Sequence, residues 1–293
     1  MYELIKVTEH CYYVNSPAKI GLVRLEGNDF CFIDSGLDKD AAKKAKQHLD
    51  ANGWNLKMVI NTHYHADHTG GNRFLQDRTG CTILCPEAEA CMIRNPILEP
   101  SFLFGGYPTE EMQHKFLMAQ PSEARPIQKE DLPEGFEIIP LPGHSPGMIG
   151  IRTPEDIVFL ADCLSSPATL EKYKVTFIFN IGQYLNTLEQ VKQMQARLFI
   201  PSHAEPGSDM TALAQLNIDT VQEIARQILF YCEQPHSFEQ ILKRVFDDYG
   251  IRMTFEQNIM IGSTVRSYLS YLKECGKVEA SFEDNIMVWK GKA

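Results

Sequence analysis

Four side chains that suit a metal ion lie within six positions of the segment NTHYHADHTGG, residues 61–71. They are His63, His65, Asp67 and His68. Imidazole nitrogen and carboxylate oxygen both bind divalent ions such as zinc, iron and manganese. One tetrahedral ion could not readily use all four, because two of them are expected on each side of the loop. The segment therefore predicts two adjacent ions, which need further ligands from elsewhere in the chain.

Three more residues of suitable type stand at the ends of predicted strands. His144 lies in the turn LPGHSPG, Asp162 follows the apolar run IVFLA, and His203 follows LFIPS. Each alone is more often a buried structural histidine or a capping aspartate. Together with the first cluster they complete two sets of ligands, so the joint pattern predicts a metal site.

The elements that must position these residues alternate short strands with helices. EGND predicts a hairpin turn between IGLVRL and FCFID, and DKDAAKKAKQHLDANG predicts a helix that ends at its NG. LKMVINTH predicts a buried strand that delivers the histidine cluster at its carboxyl end. A helix in GGNRFLQDRTG and a strand in CTILCP follow. Function is therefore expected in loops at the ends of strands.

These ordered motifs resemble those of the metallo-β-lactamase-fold hydrolases, over about residues 1–208. The resemblance implies an α+β protein, a four-layer αββα sandwich with the metals at one edge of the paired sheets. It implies one ion held by three histidines and a second ion on the remaining ligands, with Asp162 bridging the two. The first set is His63, His65 and His144, and the second is Asp67, His68 and His203. Asp34 in FIDSG resembles the family's early aspartate, which supports ligand histidines through their second ring nitrogen.

The resemblance also implies the chemistry. A hydroxide between two ions, expected to be zinc with iron or manganese as alternatives, would attack an ester, thioester or lactone carbonyl. Asp67 would orient it and return a proton to the leaving group. Antibiotic-hydrolysing members use a cysteine where Asp162 stands and usually lack a match to His68. The ligand set instead resembles glyoxalase-two-type thioesterases, and β-lactamase activity is not expected.

Two alternatives stay open at this stage. One is a nuclease or phosphodiesterase guided by the C-terminal part, and the other is an iron-dependent persulfide dioxygenase. We divide the chain into a catalytic domain, 1–209, and a mostly helical, winged-helix-like module, 210–293. SFEQILKRVF and TFEQNIMIGSTVRSYLSYLKECG predict capped helices, and KVEASFEDNIMVWK predicts a hairpin. Nine Lys/Arg against eleven Asp/Glu in this module disfavour nucleic acid. It is expected to cover the active-site rim or form a homodimer interface.

Residues 96–130 interrupt the alternation of predicted strands and helices and are rich in Pro, Gly, Phe and Met. The segment is expected either to pack as a plain insertion or to form a lid over an apolar pocket for a small-molecule substrate. The candidate lining residues of this lid are Phe102, Phe104, Tyr107, Phe116 and Met118. Asn180 and Tyr184, between Asp162 and His203, are further candidate substrate contacts.

Charge and composition argue against a nucleic-acid-binding, membrane or secreted protein. A formal net charge of −10 argues against a basic surface for nucleic acid or an anionic membrane. The N-terminal stretch carries charges at positions 3, 6 and 9, unlike a signal peptide, and no apolar run is long enough to cross a bilayer. The eight cysteines form no C-x-x-C pair. These features predict a cytoplasmic protein with reduced thiols.

Overall fold

The first sheet has seven strands, which lie side by side in the order in which they occur in the chain. The computed structural model describes residues 2–292. The strands are β1 (Glu3–Lys6), β2 (Cys11–Asn15), β3 (Ile20–Arg24), β4 (Asp29–Ile33), β5 (Asn55–Ile60), β6 (Thr82–Cys85) and β7 (Ala124–Pro126). β1 to β4 pair antiparallel, whereas β4 to β7 pair parallel. The parallel half brings several carboxyl ends to one edge of the sheet.

The second sheet has four strands in the order β11-β10-β9-β8. They are β8 (Glu137–Pro140), β9 (Ile149–Arg152), β10 (Ile157–Ser165) and β11 (Leu198–His203). β10 pairs parallel with β11 and antiparallel with β9. A third, antiparallel sheet of β12 (His236–Ser237), β14 (Ile286–Gly291) and β13 (Val278–Glu283) belongs to the C-terminal part.

The described residues form ten α-helices, several of which cover the outer faces of the first two sheets. They are α1 (Lys39–Asn52), α2 (Ala66–Thr69), α3 (Asn72–Thr79), α4 (Glu87–Arg94), α5 (Leu98–Phe104), α6 (Pro167–Tyr173), α7 (Ile181–Gln193), α8 (Thr211–Tyr231), α9 (Phe238–Asp248) and α10 (Phe255–Glu274). Two 3-10 helices span Glu110–Met112 and Lys129–Asp131. None of the helices described for residues 2–292 has the length and apolarity needed to span a bilayer.

Strand alternation builds the layers. In β4, Phe30 and Phe32 pack outward against the core under α1, whereas Cys31 and Ile33 pack inward against the second sheet. In β10, Val158 and Leu160 pack outward beneath α7 and α8. The result is helices, sheet, sheet and helices, so the predicted four-layer α+β fold is confirmed.

Local signals set the ends of helix α1 as predicted. The Asp38 side chain accepts from the backbone N–H groups of Asp40 and Ala41, and Gly53 ends the helix in the left-handed conformation at φ 67°. The predicted hairpins between β3 and β4 and between β13 and β14 also form. Ser237 and Gln240 make the predicted capping box of α9.

The C-terminal part shares its core with the second sheet. Buried residues of α8, α9 and α10 belong to one apolar cluster that also contains residues of β10 and α7. The boundary at 209/210 and the likeness to a winged helix therefore stay predictions. The proposed lid at 96–130 is shorter than predicted, because Ala124–Pro126 pairs with β6 as a strand of the first sheet.

Candidate metal centre

The loops at one edge of the two sheets bring the seven candidate ligands together in two groups. The first is His63, His65 and His144, and the second is Asp67, His68, Asp162 and His203. Within each group, one potential ligand atom of every residue lies within 4.8 Å of all the others. Residues 79 or more positions apart in the sequence thus meet, because β5, β8, β10 and β11 end or turn at this edge.

The first group presents three ring nitrogens to one point. Nε2 of His63 lies 3.0 Å from Nδ1 of His65, which lies 2.9 Å from Nε2 of His144. Nitrogens on a tetrahedral zinc ion, at zinc–nitrogen distances of about 2.0–2.1 Å, would be separated by about 3.3–3.4 Å. A small outward movement of these rings therefore gives three ligands of one ion.

The second group combines two histidines with two carboxylates. Nε2 of His203 lies 3.1 Å from Oδ2 of Asp67 and 3.2 Å from Oδ2 of Asp162. Nε2 of His68 lies 3.0 Å from Oδ1 of Asp162. Oδ2 of Asp162 is also 3.5 Å from Nε2 of His144 in the first group, so this carboxylate lies between the two groups.

Two atoms of the second group are buried without a hydrogen bond. Nε2 of His68 and Oδ1 of Asp162 are close to each other, but their geometry does not form one. A buried polar atom with no partner is costly, and such atoms in native proteins call for an explanation. A cation between them removes that cost, so these residues fit a divalent ion.

The outer ring nitrogens of the histidines are held by the protein. Nδ1–H of His68 donates to Oδ2 of Asp34 over 2.7 Å, and the Thr62 hydroxyl donates to the same oxygen over 2.9 Å. Because that hydroxyl is already donating, its oxygen accepts from Nδ1–H of His63, 3.0 Å away. Each bond leaves Nε2 of the ring free as a ligand atom.

Two backbone carbonyls hold Nδ1 of His144 and Nδ1 of His203, whereas Nδ1 of His65 faces the first ligand group. Nδ1 of His144 lies 3.2 Å from the Phe177 carbonyl oxygen, and Nδ1 of His203 lies 3.0 Å from that of Pro17. The hydrogen bonds of Asp34 to His68 and Thr62 agree with the supporting role predicted for it. Its backbone adopts a φ of 63°, a conformation uncommon for a residue other than glycine.

The two glycines after the histidine cluster permit a close backbone approach. A Cβ atom at Gly70 would lie 1.8 Å from the carbonyl oxygen of Leu37, and one at Gly71 would lie 2.3 Å from that of Ser35. The ligand loop therefore packs directly on the turn that carries Asp34. This contact explains why glycine follows the cluster twice.

A bulge in β10 aims Asp162 at the centre. The register with β11 shifts on both sides of Ala161, whose φ is 51°. The side chain of Cys163 packs in the outer core, away from the ligand groups. Cys163, although adjacent in sequence, therefore does not contribute to the ligand groups.

The family model described as Metallo-beta-lactamase superfamily matches residues 17–203. The chain belongs to this superfamily. A hydroxyacylglutathione hydrolase of Methylococcus capsulatus is 46% identical over 50 residues, which cover 17% of this chain and 20% of that protein. A hydroxyacylglutathione hydrolase of Rhizobium meliloti is 27% identical over 135 residues, 44% of this chain and 42% of that protein. The chain thus matches less than half of the length of these curated relatives.

Solved structures of the superfamily share the fold over nearly the whole chain. A beta-lactamase domain protein from Burkholderia ambifaria matches with a TM-score of 0.73 at 16% identity, over 99% of this chain and 94% of that one. A metallo-beta-lactamase family protein from Thermus thermophilus matches with a TM-score of 0.75 at 18% identity, over 98% and 100%. Both likenesses include the C-terminal part of the chain.

The two ligand groups of this superfamily member differ in charge. Burial, followed by the neighbouring His144, lowers the pKa of His65 to about 3, and burial also lowers the pKa values of His63 and His144. These rings are therefore neutral, which is the form that binds metal. In the second group burial opposes ionisation, but the carboxylate of Asp162 raises the pKa of His203 to about 10. The carboxylates of Asp67 and Asp162 are therefore stabilised by a positive charge between them, either a protonated histidine or a metal ion.

Two buried glutamates at the site carry no local sequence signal. Glu89 of α4 has no exposed surface and accepts from Tyr64 N–H at 3.1 Å, Gly147 N–H at 2.6 Å and the Ser145 hydroxyl at 2.9 Å. It joins the loop of His63 and His65 to the turn of His144. In the sequence, Glu89 is indistinguishable from a solvent-facing acid in the first turn of a helix.

Glu99 of α5 lies on the other side of the centre. Its Oε1 is 4.0 Å from Nε2 of His65, the ring nitrogen that faces away from the first ligand group. Burial raises the pKa of Glu99 well above its usual range. The lid segment thus contributes a carboxyl group beside a candidate ligand, which the sequence did not single out.

A cavity of about 190 Å³ opens onto both ligand groups. Its apolar lining residues are Leu103, Phe116, Leu117, Phe177 and Met260. Three of them come from the predicted lid, so the lid interpretation agrees with this placement. Met260 comes from α10, so the C-terminal part contributes to the lining, while its expected role at the active-site rim stays a prediction.

The four candidate substrate contacts lie elsewhere. Phe104, the last residue of α5, is 42% exposed, and Tyr107, in the loop after α5, is 80% exposed. Tyr184 is buried in the core, with its hydroxyl 3.5 Å from Oδ1 of Asn217, and Asn180 caps α7 by accepting from Gln183 N–H. The four do not line the cavity, so this placement does not support the predicted contacts. Of the other lid candidates, Phe116 lines the cavity, whereas Phe102 is largely exposed and Met118 lines a different surface cleft.

Proposed function

We propose that this protein is a dinuclear metal-dependent hydrolase of carboxylic esters, thioesters or lactones. The observation that carries the proposal is the position of Asp162, whose oxygens face His68 at 3.0 Å and His144 at 3.5 Å, one in each ligand group. Such a shared carboxylate brings two ions close enough to act on one substrate.

The residues divide by role. His63, His65 and His144 would hold one ion, and Asp67, His68 and His203 the other. Two divalent ions bound there would supply an acidified water at neutral pH and polarise the carbonyl group. Zinc suits this set of nitrogen and oxygen ligands best, with iron and manganese as alternatives.

Asp67 is the proposed catalytic residue of the chain. Its carboxylate borders the cavity and its side chain is 33% exposed, so it can meet both a substrate and a water molecule. Such a carboxylate can accept the proton of the attacking water and return it to the leaving group. The fixed partners of the histidines keep the two ligand groups aligned while this happens.

The lining of the cavity favours a carbonyl substrate over a phosphodiester. The described residues around it include no Lys or Arg that would pair with a phosphate or with the carboxylates of glutathione. The relatives named hydroxyacylglutathione hydrolase support thioester chemistry. The apolar lining supports a substrate other than a glutathione conjugate.

The test compares an acyl thioester with bis-p-nitrophenyl phosphate on the same zinc- or manganese-loaded protein. We expect faster turnover of the thioester, together with loss of activity in Asp67→Ala and loss of bound metal in His144→Ala. His10→Ala, which removes an exposed histidine outside the centre, serves as the control and should behave as the parent protein. Preference for the phosphodiester, or full activity in Asp67→Ala, would overturn the proposal. Oxygen consumption with iron and a persulfide, without hydrolysis, would replace it with the dioxygenase alternative.

A further inference from the structure

A second cavity adjoins the one at the metal centre. It has a volume of about 260 Å³ and lies between α10 and the loop that follows α6. Its lining residues are Tyr173, Val175, Thr176, Phe177, Glu256, Gln257, Met260, Ile261 and Thr264. Phe177 and Met260 line both cavities, so these two side chains lie between the second cavity and the one at the ligand groups.

The side chains of Phe177 and Met260, which lie between the two cavities, differ in conformational freedom. The Phe177 ring lies 5.4 Å from the ring of His65 and 5.8 Å from that of His144, and its carbonyl oxygen accepts from His144. It is therefore fixed by the centre itself. Met260 has an unbranched side chain that can adopt several conformations and fill or clear an apolar gap. A ligand could thus pass Met260 without disturbing the ligand histidines.

The linings favour an uncharged chain, since apolar side chains such as Val175, Phe177 and Ile261 stand among polar ones. Among the residues that the structure describes, the two linings contain no Lys or Arg. Glu256, an acid of the second cavity, pairs with His114 of the lid at 3.5 Å. An anionic chain in the second cavity would meet Glu256 with no Lys or Arg in the described lining to pair with it, whereas burying methylene groups is favoured.

Exposure at the centre distinguishes the two ends of a bound substrate. The side chains of Asp67 and His203 are 33% and 29% exposed, whereas those of His65 and His144 are 12% and 13% exposed. A leaving group that takes a proton and departs needs the exposed side. The acyl group is then left with the buried side, next to Phe177.

We propose that the substrate carries an apolar acyl chain that runs from the metal centre past Phe177 and Met260 into the second cavity. This inference rests on the proposed ester or thioester hydrolysis and names its substrate class. The C-terminal α10 is then part of the specificity site, since it supplies Met260, Ile261 and Gln257 to the walls.

The first measurement is a chain-length series on the full-length, metal-loaded protein. N-acetylcysteamine thioesters have an uncharged leaving group, and we would compare acetyl, butyryl, hexanoyl and octanoyl substrates. Each buried methylene should raise kcat/KM about fourfold until the second cavity is full. Equal or falling values along the series, with acetyl hydrolysis intact, would overturn the acyl-chain inference alone. Absence of hydrolysis throughout the series would overturn the proposed function as well.

A substitution tests whether the acyl chain lies in the second cavity. Gln257→Trp places a large side chain at the second cavity from a half-buried position, and should lower kcat/KM about tenfold or more further for the octanoyl thioester than for the acetyl thioester. Asn258→Trp, at the adjacent exposed position, is the matched control and should change neither value. Equal losses for both substrates in Gln257→Trp would contradict the assignment.

Binding gives a readout that does not depend on turnover. Calorimetry with octanamide, an uncharged chain of the same length, should detect binding to the parent protein and to Asn258→Trp, and weaker binding to Gln257→Trp. Binding of equal strength to all three proteins would place the chain outside the second cavity and overturn the inference.

Discussion

Oδ2 of Asp34 lies 2.7 Å from Nδ1 of His68 and accepts its hydrogen bond. The same oxygen accepts from Thr62, whose hydroxyl holds Nδ1 of His63. One buried carboxylate at the end of β4 therefore orients a candidate ligand in each group. It couples the two groups to one strand of the first sheet.

Asp34→Asn should weaken metal binding at both groups. The amide lacks the charge that stabilises the N–H donors, and removal of such partners typically costs about 10–100-fold in metal affinity or activity. Competitive zinc titration with a chromophoric chelator would measure the change. Asp77→Asn, an exposed acid of α3 paired only with Arg73, should leave zinc affinity unaltered. Parent-like affinity in Asp34→Asn would refute the coupling.

Glu89→Gln should lower both stability and activity. The carboxylate accepts three hydrogen bonds in a fully buried position, and an amide would turn an N–H group toward one of those donors. Leaving a buried donor without a partner costs about 1–3 kcal/mol. Denaturant unfolding gives the free energy of unfolding, and kcat/KM reports the alignment of the ligand loops. Glu87→Gln, on the exposed face of the same helix, is the control, and an equal effect there would contradict this role.

Gly70→Ala should destabilise the fold by about 3 kcal/mol or more, at the upper end of the cost of overpacking. The new methyl group would meet backbone atoms of Leu37 and Ala66, which cannot move aside as a flexible side chain can. Gly182→Ala in α7 is the comparison, because its Cβ would make only ordinary contacts at 3.6 Å or more. That change should be neutral or slightly stabilising, since alanine favours helix. Similar melting temperatures for both variants would show that the close approach at Gly70 is not required.

Removing metal should lower the melting temperature. An ion that binds only the folded chain stabilises it by about 2.7 kcal/mol when its free concentration is one hundred times Kd. Melting with zinc and with excess chelator measures this difference. His144→Ala should lose part of the zinc-dependent shift, whereas His10→Ala should retain it. Coincident melting curves with and without chelator would exclude a bound structural or catalytic ion.

Most of the fold and every member of the two ligand groups could be predicted from local patterns in the sequence. Strand alternation, helix caps and turn residues are local, so they can be read within ten or twenty positions. The same holds for His63, His65, Asp67 and His68, which a single loop presents. For His144, Asp162 and His203, the decisive feature was residue type at a strand end.

Tertiary structure alone decided the partners of those ligands and the shape of the cavity. Glu89, Glu99 and Phe177 reach the centre through contacts between residues 25 (Tyr64 and Glu89) to 112 (His65 and Phe177) positions apart, which leave no periodic pattern in the chain. The alternation of side chains along a strand did not predict the bulge at Ala161, which turns Asp162 toward the centre. The exposure of Phe104 and the burial of Tyr184 depend on which face of each helix meets a neighbour. Side-chain direction is fixed by packing between distant segments, and that information exists only in the folded chain.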